Sequence, residues 1–128
     1  MSYPENLLYS DQHEWVAVDG DVATIGITWY AQDSLGEVVF VDFIQEADEE
    51  VSEGDTVSEV ESVKSVSAIY SPVSGELVEC NEALSDEANV SCINEDPYGA
   101  GWIFKVRMSD PSELEKLMSA ADYEATLS

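Results

Sequence analysis

The chain has 128 residues, 45% of them apolar, which suffices for one domain (1–128) with a modest core and is too short for two. Asp and Glu number 28 against 4 Lys and Arg, a formal charge of −24, far beyond the magnitude of about 2 to 8 usual for a small soluble domain. That balance argues against nucleic acid or an anionic membrane as partner, because both are held by basic side chains on phosphate.

The apolar runs, such as Val38-Val39-Phe40-Val41, fall far short of the roughly 20 residues that cross a bilayer. The start, Met1-Ser2-Tyr3-Pro4-Glu5-Asn6, has no secretory or transit pattern, so a cytoplasmic location is expected. Next, His13-Glu14-Trp15-Val16-Ala17-Val18 and Val22-Ala23-Thr24-Ile25-Gly26-Ile27 flank Asp19-Gly20-Asp21 and predict a hairpin. Thr28 can cap a short helix through Ala31, Gln32 and Leu35 that ends at Gly36. Strands are predicted over 37–42, 56–60, 66–70, 75–80 and 102–108, with Trp102, Phe104, Val106 and Met108 on one face of the last. Asp110, Pro111 and Glu113 spell a capping box, and Leu114, Leu117, Met118 and Ala121 recur at helical spacing, predicting a C-terminal helix packed on the sheets. A weak repeat, Gly36-Glu37-Val38-Val39 against Gly75-Glu76-Leu77-Val78, would suit two similar β units making two facing sheets, and chance similarity is the alternative.

The acidity reads as a well-solvated surface, or as adaptation to a salty cytoplasm or to basic partner surfaces. Cys80 and Cys92 are too far apart for a redox pair and are read as reduced, buried, small apolar residues. His13, the one histidine, leaves no zinc framework and no hydrolase triad, and is read as packing at a strand start. Lys64 stands apart among the basic residues. Two runs of alternating polarity meet at Val60-Glu61-Ser62-Val63-Lys64-Ser65-Val66-Ser67 without Gly or Pro, so the turn is tight and holds the lysine on rigid strands, where a modifying enzyme can reach it. From the residues alone an ordinary solvated lysine remains open.

The motifs His13-Glu14-Trp15-Val16, Gly26-Ile27-Thr28, Leu35-Gly36-Glu37-Val38-Val39, Glu61-Ser62-Val63-Lys64, Ser71-Pro72-Val73-Ser74-Gly75-Glu76 and Asn94-Glu95-Asp96-Pro97-Tyr98-Gly99 follow one another along nearly the whole chain. In these the chain resembles the glycine cleavage system H proteins. The resemblance implies a mainly β, lipoyl-domain-like barrel-sandwich hybrid with short helices and a C-terminal helix. It implies a non-catalytic, monomeric carrier with lipoate amide-linked to Lys64. By that resemblance the arm would take an aminomethyl group from a pyridoxal-phosphate glycine decarboxylase (P protein). It would deliver the group to an aminomethyltransferase (T protein) and be reoxidised by a dihydrolipoyl dehydrogenase (L protein). Glu61 matches an acidic residue read by the lipoylating enzyme, and Glu14 matches a residue that holds the loaded arm in a cleft. An ordinary surface carboxylate is the alternative at each. Trp29, Ser34, Ser65 and Ala68 depart from the family pattern around the lysine and the cleft.

A biotinyl carrier would flank its lysine with methionines, whereas Val63 and Ser65 stand here. A lipoyl relay protein would have almost the same sequence, and gene neighbours would separate the two. Gly99-Ala100-Gly101 lacks the rest of a dinucleotide loop, and Asp48-Glu49-Glu50 lacks the spacing of a calcium loop.

Overall fold

In a computed structural model, residues 3–127 are described. The strands are β1 (Leu8–Tyr9), β2 (Glu14–Asp19), β3 (Val22–Ile27), β4 (Val38–Phe43), β5 (Glu50–Val51), β6 (Thr56–Ser62), β7 (Val66–Tyr70), β8 (Gly75–Cys80) and β9 (Phe104–Met108). They form two antiparallel sheets, one of six strands ordered β1-β2-β3-β9-β8-β5 and one of three ordered β4-β6-β7. The two copies of the weak repeat lie in different sheets, β4 in the small one and β8 in the large one. Neither sheet closes into a barrel.

Alternation in the sequence decides which side of each strand is buried. Val16, Ile25, Ile27, Leu77, Phe104 and Val106 from the large sheet form one cluster with Val41, Val57, Val60 and Ile69 from the small one. A second cluster joins Tyr3, Leu7, Tyr9 and Trp15 to Ala120 and Tyr123. The β2–β3 hairpin turns through Gly20, whose φ of +64° suits a residue without a Cβ.

Helix α1 (Trp29–Leu35) begins and ends as its sequence predicts: Thr28 accepts from the Ala31 N–H, and Gly36 closes it at φ +81°. The short helix α2 (Cys92–Glu95) packs beside it.

The C-terminus differs from the single helix that the capping box and the apolar spacing predict. A 3-10 turn over Pro111–Lys116 stops at Leu117, which is extended, and α3 (Ala120–Thr126) starts afresh with Ser119 as its cap. Between them Met118 forms a β-bridge with Tyr9, through N–H to carbonyl bonds of 2.7 and 2.9 Å in the two directions. The bridge satisfies backbone groups on both chain segments, and local capping does not outweigh it. Glu113 also leaves the expected box: its carboxylate accepts from the Ser74 N–H (2.6 Å) and Oγ–H (2.7 Å). Ala121 is exposed, and Ala120 and Tyr123 supply the buried face of α3. Cys80 and Cys92 are unpaired and half-buried, so the expectation of full burial is corrected. The Cys80 thiol donates to the Gln45 carbonyl at 3.7 Å, and burial raises its pKa to about 11.

Candidate functional site

Antiparallel β6 and β7 meet in a tight turn whose tip is Val63-Lys64-Ser65. Without Gly or Pro, the turn is held by the buried hydroxyl of Ser62, which accepts from the N–H groups of Lys64 (3.3 Å) and Ser65 (3.1 Å). The Ser62 N–H closes the turn on the Ser65 carbonyl at 2.8 Å, and the Val63 N–H ties the tip to the Glu37 carbonyl at 3.0 Å. Ser62 is a supporting residue that sequence reasoning missed. Its signal was a hydroxyl two residues before a lysine in a turn without Gly or Pro.

Lys64 is exposed, and among the described residues its ammonium is in no ion pair. The other Lys and Arg side chains are each in an ion pair: Lys105 with Glu79 (3.8 Å), Arg107 with Glu76 (2.9 Å) and Asp21 (3.9 Å), and Lys116 with Glu53 (3.1 Å). The lysine stem passes Gly36, where a Cβ would lie 3.5 Å from Lys64 Cε. Asn94 on α2 fixes that crossing. Its side-chain amide donates to the Gly36 carbonyl (2.8 Å) and to Gln32 (3.0 Å), and its oxygen accepts from the Val38 N–H (2.9 Å).

On the outer face of the small sheet Phe40, Glu61 and Val66 stand in one cross-strand row, and Asp42, Glu59 and Ala68 form the next. Phe40, Val63 and Val66 are 47%, 67% and 59% exposed, an unusual concentration of apolar surface in so acidic a chain. Glu61 is therefore an exposed carboxylate framed by apolar side chains beside Lys64.

A groove of about 280 Å³ starts at Ser65 and Val66 and runs between α1 and β7, with His13, Tyr30, Ser34 and Ser67 on its walls. Gln12 also lines a larger cavity of about 640 Å³, which is walled by Ser10, Glu14 and Tyr70. Lys64 and Glu14 thus belong to opposite ends of β7. From Val66 to Tyr70 the strand covers roughly 13 Å at about 3.3 Å per residue. Ser34 lines the groove, Ala68 does not, and Trp29 instead joins the aromatic cluster, where its backbone N–H donates to Tyr98 Oη at 2.9 Å.

Glu14 is 2% exposed, so an ordinary surface carboxylate is ruled out. Burial pushes its pKa up to about 7, against the opposing pull of hydrogen bonds from Ser10 Oγ–H (2.6 Å) and the Tyr70 N–H (3.1 Å). Ser10 and Tyr70 are further supports the sequence did not single out. Ser10 lies four residues upstream, and Tyr70 arrives from the other sheet. His13 takes a left-handed φ of +68° directly before Glu14, its ring 4.8 Å from that of Tyr30.

The family model described as "Glycine cleavage H-protein" matches residues 7–128. The chain belongs to that family. It is 53% identical over 123 residues to the glycine cleavage system H protein of Staphylococcus saprophyticus, covering 96% of this chain and 95% of that one. With the glycine cleavage system H protein of Acaryochloris marina it shares 48% identity over 96% of this chain and 94% of that one. The crystal structure of a glycine cleavage system H protein from Mycobacterium marinum superposes with a TM-score of 0.86 at 37% identity, over 98% of each chain. The mainly β fold with two sheets and short helices is thus that of the glycine cleavage H-proteins.

Proposed function

We propose that residues 1–128 form one lipoyl carrier domain of the glycine cleavage system, with lipoate joined as an amide to Lys64. The observation that carries this reading is the setting of Lys64. It is the tip of a hairpin closed by Ser62, exposed, in no ion pair, and beside a groove that opens at the next residue. Membership of the glycine cleavage H-protein family supports the same reading. Bound there, the dithiolane of the lipoyl group would accept the aminomethyl unit from the decarboxylase (P protein) and release it to the aminomethyltransferase (T protein). The dihydrolipoyl dehydrogenase (L protein) would restore the disulfide.

The protein's own contribution is placement. Ser62 and Asn94 hold the tip and the Gly36 crossing rigid, so the tether starts from a fixed point and its end is confined to a high local concentration. Glu61, framed by Phe40 and Val66, supplies a carboxylate that the lipoylating enzyme can read together with Lys64. Glu14 supplies a buried acceptor at the far end of β7. A protonated amine arriving beside it would favour the carboxylate form and draw its pKa back down, so ligand and counter-ion would strengthen one another.

The test is mass spectrometry of the protein purified from its native source. A lipoyl increment mapped to Lys64 is the expected result. A biotinyl increment, or an unmodified lysine in lipoate-replete cells, overturns the reading.

A further inference from the structure

The one histidine of the chain sits on the wall of the groove that begins beside Lys64, and its ring is held from behind by the C-terminal helix. Tyr123 Oη on α3 lies 2.7 Å from His13 Nδ1 and 2.7 Å from Thr28 Oγ1. Thr28 Oγ1 in turn accepts from the Ala31 N–H at 3.2 Å, as the cap of α1. Three elements therefore converge on one phenol: α3, the start of α1, and the segment that leads into Glu14.

The direction of the protons follows from burial. Thr28 and Tyr123 are both fully buried, so each hydroxyl proton must have an acceptor. Among the described residues, Tyr123 Oη is the acceptor in reach of the Thr28 hydroxyl. If Tyr123 donated to Thr28, the Thr28 proton would be stranded. Thr28 therefore donates to Tyr123 and Tyr123 donates to His13 Nδ1, which leaves the imidazole proton on Nε2. No protein group among the described residues bonds Nε2.

We infer that Tyr123 is a positioning residue which fixes His13 as a neutral Nε2–H donor on the groove wall, facing the amide-linked arm of Lys64. The partner on the arm is a neutral acceptor, the amide carbonyl or a dithiolane sulfur. This rests on the reading of Lys64 as the lipoylated residue and extends it to a side chain not otherwise assigned a role. Protonating His13 would reverse the chain and strand the Thr28 proton, a penalty in the same direction as burial, which already lowers the pKa of the ring. The other titratable groups nearby are Asp11, whose charge works the opposite way, the ring of Tyr30 on α1, and Glu14 next in sequence.

A single histidine makes the test direct, since the nitrogen-15 spectrum of the imidazole has one origin. The unmodified wild type is expected to show the Nε2–H tautomer with a titration midpoint below the ordinary 6.5. In Tyr123→Phe, which keeps the ring against Tyr9 (centroids 4.9 Å apart), the tautomers should mix and the midpoint should move up toward 6.5. On lipoylation, verified by mass at Lys64, the Nε2–H resonance should shift and exchange more slowly with water in the wild type, with a smaller response in Tyr123→Phe. An Nδ1–H tautomer in the wild type overturns the inference, whatever the variant does. A His13 spectrum unchanged by a lipoyl group present on Lys64 also overturns it, yet leaves the carrier reading intact. A chain that takes no lipoyl group overturns both.

Discussion

Lys64 and Glu14 stand at opposite ends of β7, and each makes its own prediction. Lys64→Arg keeps the positive charge at the tip, but a guanidinium cannot form the ordinary lipoyl amide. The variant should fold with unchanged circular dichroism and melting, carry no lipoyl mass, and support no glycine cleavage when partner enzymes are added. Full activity would remove Lys64 from the site. Glu14 titrates at about 7 in the folded chain against an ordinary 4.5, so the folded state binds that proton more tightly than the unfolded state does. Its contribution to stability is therefore most favourable below about pH 4.5 and falls as pH rises through about 7. Each tenfold difference in proton affinity between the two states is worth about 1.4 kcal/mol, so the change is on the order of 3 kcal/mol. Denaturant unfolding of wild type and Glu14→Gln at pH 5 and pH 8 isolates it, because the other carboxylates cancel in the difference. The variant should gain on the wild type between the two pH values, and a difference that stays constant would show that Glu14 is not perturbed.

At the level of elements, the start of β8 depends on Gly75. Its φ is +156°, and a Cβ there would overlap the carbonyl oxygen of Arg107 on β9. Gly75→Ala should therefore lose about 3 kcal/mol in urea unfolding, by forcing apart the β8–β9 pair at its first step. A variant as stable as the wild type would mean that the close approach is dispensable. The demand on Gly75 comes from the partner strand, since the obstructing Arg107 backbone is far away along the chain. The β2–β3 hairpin and α1 were legible because their signals are local: alternation, Gly20, Thr28 and Gly36. The break between the 3-10 turn and α3 was not, since the Met118–Tyr9 bridge that causes it joins the two ends of the chain. The site divides in the same way. Lys64, Glu61 and Glu14 could be picked out by motif, whereas Ser10, Tyr70, Asn94 and Tyr123 acquire their roles through contacts that folding creates.

For the molecule as a whole, charge governs how stability responds to its surroundings. With 28 acids against 4 bases, carboxylate repulsion opposes the compact state, and added salt shortens its reach. The surface ion pairs are exposed and worth little, so screening them costs less than relief of the repulsion returns. The melting temperature should rise from low to molar KCl, and a flat profile would show that the repulsion is already dissipated. The pairing of the other basic groups bears also on small electrophiles. Of the three lysines, Lys116 is held protonated by Glu53, and Lys105 lies between Glu79 and the ring of Trp102, 4.8 Å from its centroid. Reactive acyl donors of metabolism that meet this surface find Lys64 as the least encumbered lysine, so uncatalysed acylation would fall first on the side chain proposed to carry lipoate.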